Sequence, residues 1–296
     1  MKTKRLLTLM VAFVLIFALT ACGNKKDDSN TSEDTNTEDT NTQDGAETAD
    51  LEGTIVITGS TSVEKILLDM IDEFTALNPD VTINYTGTGS SAGITDTIGG
   101  LNTMGVSSRE VKEEETSKGV VAKEFAFDGI AVVVNPANEV KDISVENLAK
   151  IYSGEITNWN QVGGADGEIV VVSREGSSGT RSAFEELVKL EDAGGLEESA
   201  TVVEGNGNVQ TNVAGNKNAI GYVSFSFIDE TVKALTVGGV EATAENAKTG
   251  DYVLSRPFLF VFKEETLTNE AKAFLEYAVS EDGQAYVEEH GGIRID

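Results

Sequence analysis

Three turns rich in glycine and hydroxyl side chains hold the residues best able to do chemistry in this chain. The first is Gly59-Ser60-Thr61-Ser62, and the second is Gly87-Thr88-Gly89-Ser90-Ser91-Ala92-Gly93. The third is Arg174-Glu175-Gly176-Ser177-Ser178-Gly179-Thr180-Arg181. Glycine lets a backbone approach a ligand closely. The free N–H groups of a first helical turn point outward, and the helix dipole adds positive potential there. Ser and Thr hydroxyls add donors without charge. This chemistry suits recognition of an anion, and three such turns converging would surround one tetrahedral oxyanion. Each turn alone is better explained as a capped helix start. Their repetition, one of them beside Arg174, favours a site.

The elements that must carry these turns are legible in hydrophobic periodicity. Thr54-Ile55-Val56-Ile57 reads as a strand before the first turn, and Val81–Tyr85 alternates as a strand before the second. Ile169–Val172 precedes the third, and Ile130–Val134 is a further buried strand. Val63, Ile66, Leu67, Met70, Ile71 and Phe74 recur at helical spacing, and the Thr61/Glu64 capping-box spacing predicts that this helix starts at the first turn. Phe184, Leu187 and Val188 share a helix face after the third turn, and 271–278 reads as a late helix. The rhythm is βαβ, so the expected class is α/β with mostly parallel sheets.

Composition narrows the function. The chain has 296 residues, 40% of them hydrophobic, enough for one or two folded domains. Fifty acidic residues against 22 basic give a net charge of −28, which excludes nucleic acid as a partner and anionic lipid as a surface for the folded part. Salt screens distant charge within about 8–10 Å, so local dipoles and an arginine can still hold an anion. A single Cys, Cys22, excludes an internal disulfide and a Cys-rich zinc site. A single His, His290, excludes multi-histidine metal or catalytic machinery, and it reads as a surface or packing residue. Trp159 reads as packing. The glycines do not fit a dinucleotide fingerprint or a P-loop, and no metal or cofactor is expected.

The first fifty residues do not read as fold. Lys2, Lys4 and Arg5 precede an apolar run from Leu6 to Ala21, and Leu19-Thr20-Ala21-Cys22 resembles a lipobox. Residues 1–22 are therefore expected to be a lipoprotein signal peptide, with Cys22 acylated by chains such as palmitate. Multiple acyl chains hold a protein on a membrane where one does not. Residues 23–50 are Thr-, Asn- and acid-rich without an aromatic residue, and are expected to form a disordered acidic tether.

In their order along the chain, these turns resemble the phosphate-binding proteins of bacterial phosphate ABC importers. The resemblance covers Leu51–Asp296. It rests on Gly59-Ser60-Thr61, Gly89-Ser90-Ser91-Ala92-Gly93, Arg174 with Ser178-Gly179-Thr180, the stretch Ile151–Trp159, and Ala219-Ile220-Gly221-Tyr222-Val223. It implies a two-lobed, periplasmic-binding-protein-like fold with two crossover strands and a ligand cleft. The crossovers are expected near Asn135 and near Arg256-Pro257. Residues 51–134 plus 257–296 would then form one lobe and 135–256 the other.

Carried over by position, the resemblance implies that the Thr61 hydroxyl and backbone, the Ser62 N–H, Ser90, Arg174, Ser178, the Gly179 N–H and Thr180 bind phosphate. It also implies permease subunits as partners of a monomer at the outer face of the cytoplasmic membrane, and the lipid anchor fits a bacterium without an outer membrane. The sequence departs from the family at Met104-Gly105-Val106-Ser107-Ser108-Arg109, where Ser108 stands in place of an Asp that accepts the phosphate's own proton. Asp128 is the candidate replacement, and an ion pair between Asp128 and Arg109 is the alternative. The leading expectation is a phosphate receptor. A receptor for sulfate or molybdate, a phosphatase, and an adhesin or sensor using the same cleft remain alternatives.

Overall fold

A computed structural model describes residues 51–295. The segments expected to be a signal peptide and a tether, with Cys22, lie outside the described residues.

The first part of the chain runs β1 (Gly53–Gly59), α1 (Glu64–Leu77), β2 (Val81–Gly87), α2 (Ser90–Gly99) and β3 (Met104–Ser107). A single turn, α3 (Glu113–Thr116), leads to the long strand β4 (Val121–Val134). There follow β5 (Asp142–Ile143), α4 (Val145–Tyr152), β6 (Val170–Arg174), α5 (Gly179–Leu187), β7 (Thr201–Val203), α6 (Gly205–Gly215) and β8 (Ala219–Ser224). The chain ends with β9 (Lys233–Ala234), β10 (Thr236–Val237), α7 (Ala244–Thr249), β11 (Ser255–Phe262), α8 (Asn269–Ala278) and α9 (Glu281–Glu289).

The main sheet is ordered β2-β1-β3-β11-β4-β8-β6-β7, with β9 also beside β4, and β5 pairs with β10 separately. Its outer parts are parallel: β1 with β2 and β3, and β6 with β7 and β8. Its middle is antiparallel, because β11 and β4 run between the two halves and pair with each other.

Two apolar cores flank this middle. The first gathers Ile55 and Ile57 of β1, Leu67, Met70 and Phe74 of α1, Phe125 of β4, Phe258 and Phe260 of β11, and Phe274 of α8. The second gathers Val132 of β4, Tyr152, Val171, Phe184, Val209, Tyr222 and Leu254. Each such side chain contributes about 1.5–3 kcal/mol by leaving water, and α1 illustrates how. Its buried residues Ile66, Leu67, Met70, Ile71 and Phe74 form one stripe at the helical period. The fold is a two-lobed α/β structure, one lobe around each core.

The first crossover differs from expectation. Ile130–Val134 pack in the second core and pair with β8, whereas Phe125 and Ala126 pack in the first. The chain therefore changes lobe at Asp128-Gly129 and not near Asn135. A run of five apolar residues shows that a strand is buried, but not in which core. At the other crossover, Leu254 packs in the second core and Phe258 in the first.

The start of α1 also differs. Its N-cap is Val63, with no side-chain cap among the described residues. The Thr61 hydroxyl instead faces across the cleft, where it accepts from Arg174.

Candidate functional site

The three turns meet between the lobes. Each follows the end of a parallel strand, where β1 runs into α1, β2 into α2 and β6 into α5. The ends of β1, β2 and β3 are aligned by register, with Gly59 opposite Gly87 on one side and Val106 on the other. The second and third turns touch directly: Ser91 N donates to Ser177 O at 3.0 Å, and Ser177 Oγ donates to Thr88 O. This approach needs glycine. Gly89 takes φ 90°, and a Cβ there would lie 2.6 Å from Ser177 Oγ. A Cβ on Gly179 would run into Ser90 Oγ and lie 2.7 Å from Ser108 Oγ. The first helical turn of α5 is thus set on the Ser90 and Ser108 hydroxyls, with its N-terminal dipole aimed at them.

Arg174, at the end of β6, is 1% exposed. Its Nε donates to Glu175 Oε2 at 2.8 Å, and its Nη2 donates to Glu175 Oε1 at 2.7 Å and to Thr61 Oγ1 at 3.1 Å. Its Nη1 is buried with no hydrogen-bond partner among the described residues. Partial burial pushes the Glu175 carboxyl up. The Arg174 hydrogen bonds and charge, with the Gly205 N–H, outweigh this and hold it below the usual carboxylate range. The Arg174 backbone N–H donates to Tyr222 Oη. The Tyr222 phenol is pushed up to about 12, chiefly by burial.

The remaining expected residues are all buried and all at this place. Ser62 Oγ lies 2.8 Å from Thr180 Oγ1, linking the first turn to the third. Ser90 Oγ accepts from Ser108 N at 3.0 Å and lies 3.3 Å from Ser108 Oγ. Ser178 caps α5, accepting from Arg181 N, so its hydroxyl proton remains to be donated. One expected donor is spent locally: the Ser62 N–H goes to Ser60 Oγ at 3.1 Å, so Ser62 faces the site through its hydroxyl.

Asp128 requires correction as the acceptor of a phosphate proton. Its Oδ1 accepts from Ser224 Oγ at 2.9 Å and Phe225 N at 3.2 Å, and its Oδ2 accepts from Arg256 Nε at 3.1 Å and Nη2 at 2.8 Å. A carboxylate offers about four acceptor positions, and here four donors fill them. Burial pushes the Asp128 carboxyl up, with the Arg256 charge and hydrogen bonds pulling the other way. The alternative pair with Arg109 does not form either. Arg109 binds Glu115 through two nitrogens, at 2.7 and 2.9 Å, and Ser91 Oγ through Nη2.

Two residues of the site escaped sequence reasoning. Arg256 reached notice only as a crossover position, yet its Nη2 donates to Ser62 Oγ at 3.0 Å and its Nη1 to Ser108 O. Asn206, in α6, donates to both Thr61 Oγ1 and Ser62 Oγ. The stretch Gly205-Asn206-Gly207-Asn208 is poor in helix formers, and the one signal of a helix is the spacing of buried Val209 and Val213. His290 lies elsewhere, 2.7 Å from Asp69. Trp159 packs in the second core and donates to Asn218 O.

The sequence pattern of the PBP superfamily domain matches residues 36–282. The phosphate-binding protein PstS of Bacillus subtilis (strain 168) is 35% identical over 283 residues, covering 94% of this chain and 89% of its own. Its namesake from Borreliella burgdorferi is 31% identical over 255 residues, covering 83% and 91%. Among solved structures, a substrate-binding protein assigned to a phosphate ABC transporter of Clostridium perfringens, with phosphate bound, matches with a TM-score of 0.80. It is 43% identical, over 82% of this chain and 100% of that one. An ABC-type phosphate transport receptor from Vibrio cholerae matches with a TM-score of 0.69 at 36% identity, over 81% of this chain and 99% of that one. With matches of this length and identity, the chain belongs to the PBP superfamily, within the family of the PstS phosphate-binding proteins.

Proposed function

We propose that the protein is the solute receptor of a bacterial phosphate ABC importer. It binds inorganic phosphate between its lobes, outside the cytoplasmic membrane, and presents it as a monomer to the permease subunits. A lipid on Cys22 holds it at the membrane, with residues 23–50 as spacer. It changes no covalent bond of its ligand.

One observation supports this reading: the Arg174 guanidinium is buried where the hydroxyl turns of both lobes meet, and its Nη1 has no hydrogen-bond partner among the described residues. Glu175 pairs with the Arg174 charge, and the buried Nη1 donor is costly unless an acceptor such as a ligand oxygen completes it. Each hydrogen bond to a charged group contributes about 1.5–3 kcal/mol, so several of them support sub-micromolar affinity. The family relationship, with relatives named for phosphate binding, points the same way.

A second reading, a receptor for a proton-free oxyanion such as sulfate or molybdate, is favoured by one specific feature. Ser108 stands where a carboxylate would reject such anions, and Asp128 is saturated by other donors. Calorimetry of the protein with phosphate, arsenate, sulfate and molybdate decides between them. The expected result is sub-micromolar phosphate binding, with arsenate competing and sulfate far weaker. Tighter binding of sulfate or molybdate than of phosphate would replace the first reading with the second.

A further inference from the structure

Ser90, Ser108, Arg174, Ser178 and Thr180 are each 1% exposed or less, so a ligand enters or leaves the site only when the lobes separate. Several bonds across the cleft come from residues expected to hold the anion, such as Ser62 to Thr180 and Arg174 to Thr61. One pair of bonds does not. It is made by Ser177, which is not among the expected ligand contacts.

Ser177 belongs to the third turn, on the second lobe, and it meets the second turn, on the first lobe, twice. Its carbonyl oxygen accepts from Ser91 N at 3.0 Å, and its hydroxyl donates to Thr88 O at 3.2 Å. The Ser177 hydroxyl proton and the Ser91 N–H are spent on these bonds, so neither is left for an anion. The carbonyl also brings partial negative charge to the first turn of α2, where the helix dipole favours it. Gly89 makes room for the contact. It takes φ 90°, and a Cβ there would lie 2.6 Å from Ser177 Oγ and 2.8 Å from Ser177 O. Ser177 is half-buried and Thr88 exposed, so the contact lies at the rim of the site.

Its place in the fold gives this contact leverage. The lobes are joined where β4 and β11 pass between them. The second turn follows β2, three strands from β11, and the third follows β6, two strands from β4. Neighbouring strands lie about 4.8 Å apart, so both turns stand well away from the crossovers, and a small rotation of one lobe separates them. Lys65 Nζ also crosses between the lobes, to Ser226 O, but Ser226 follows Ser224 and Phe225, which are bonded to Asp128 at the crossover itself. A bond beside a hinge is little changed by rotation about it.

We propose that Ser177, seated against Gly89, is a latch between the lobes: a positioning residue that slows release of the bound oxyanion without touching it. This deepens the phosphate-receptor reading and rests on it. Apparent affinity scales with the fraction of protein in the closed, binding-competent arrangement. The latch favours that arrangement by the same amount for any anion in the site. It therefore sets residence time and leaves the choice between anions to the residues inside.

The test is the rate at which radiolabelled inorganic phosphate leaves the wild type and Ser177→Ala in the presence of excess unlabelled phosphate, measured with the association rate and with competition by arsenate. Ser177→Ala loses the bond to Thr88 O and keeps the carbonyl. One neutral hydrogen bond corresponds to about a two- to tenfold change in an equilibrium. Release is expected to quicken by about that factor, with the association rate and the phosphate-to-arsenate ratio unchanged. Gly89→Ala, whose Cβ holds the Ser177 carbonyl off, is expected to quicken release at least as much. Unchanged release from Ser177→Ala overturns the latch. So does a shifted phosphate-to-arsenate ratio, which would place Ser177 against the ligand, and so does slower association with unchanged release. If Gly89→Ala does not melt cooperatively, Ser177→Ala decides alone. A wild type that retains no phosphate removes the receptor reading and this inference together, whereas wild-type release from a well-folded Ser177→Ala removes the inference alone.

Discussion

Asp128 and Arg256 stand directly opposite each other in the antiparallel register of β4 and β11, and their side chains form a buried ion pair with Arg256 Nη2 2.8 Å from Asp128 Oδ2. The pair sits where both strands pass from one lobe to the other. It also supports the site, because the same Arg256 nitrogen donates to Ser62 Oγ. Breaking a buried pair from one side leaves an uncompensated charge, at a cost of about 3–5 kcal/mol. Asp128→Asn is therefore expected to lower stability by an amount in that range, read from urea denaturation. Its phosphate-to-sulfate affinity ratio is expected to stay within a few-fold of wild type, since Asp128 meets the protein and not the anion. A stable variant with a shifted ratio would return Asp128 to the role of ligand acceptor.

Arg174→Ala removes the formal countercharge from the site. Phosphate affinity should fall by about 2–5 kcal/mol, the loss expected when one partner of a buried charged hydrogen-bonded pair is truncated. The variant should also melt lower than the wild type without ligand, because Arg174 is buried and Glu175 loses both of its bonds to it. Affinity near wild type, measured by calorimetry, would move the site away from β6.

Gly179→Ala tests the close approach of α5 to the second turn. The added Cβ would meet Ser90 Oγ and lie 2.7 Å from Ser108 Oγ. Overpacking of this kind costs about 1–3 kcal/mol. Here the cost falls on the contact between the lobes, so it should appear as weaker phosphate binding with folding of each lobe preserved. Equal affinities for variant and wild type would show that the turns do not meet this closely in the bound protein.

Glu115 gives a pH dependence of stability. Burial raises its carboxyl, but the hydrogen bond from Arg109, the Lys112 N–H and the Arg109 charge together hold it below the usual carboxylate range. A depressed folded-state value means that the unfolded chain binds the proton more readily. The stabilisation is therefore complete above the ordinary carboxylate range and is lost as pH falls through the folded-state value. Glu115→Gln should be less stable than wild type near neutrality, and the gap should narrow on acidification. A gap constant with pH in paired thermal melts would mean that the carboxylate charge contributes nothing.

The anchor is tested at Cys22. Cys22→Ser has no thiol to acylate, so the protein should leave the membrane fraction for the medium or remain as unprocessed precursor. Membrane fractionation and intact mass read this directly, and a variant identical to wild type in both would end the lipid-anchor proposal.

Local pattern determined a good deal by itself. The strand ends that carry the three turns and the buried stripe of α1 were legible because a side chain's burial repeats with the period of its own element. The acidic balance, the lone Cys22 and the lone His290 excluded whole classes of chemistry without any fold. The glycine and hydroxyl turns marked a candidate anion site because the required donors lie close together in the chain. Only the tertiary structure decided who partners whom. Asp128 meets Arg256 across 128 positions of sequence, through the pairing of β4 with β11. Thr61 looked like a helix cap from spacing, and became a cleft hydroxyl because Arg174 and Asn206 reach it from the other lobe. Asn206 itself lies in a helix of weak propensity, and only packing brings its amide to Thr61 and Ser62. Periodicity encodes which face is buried, but the occupancy of a donor or acceptor depends on groups that only packing brings within hydrogen-bond distance.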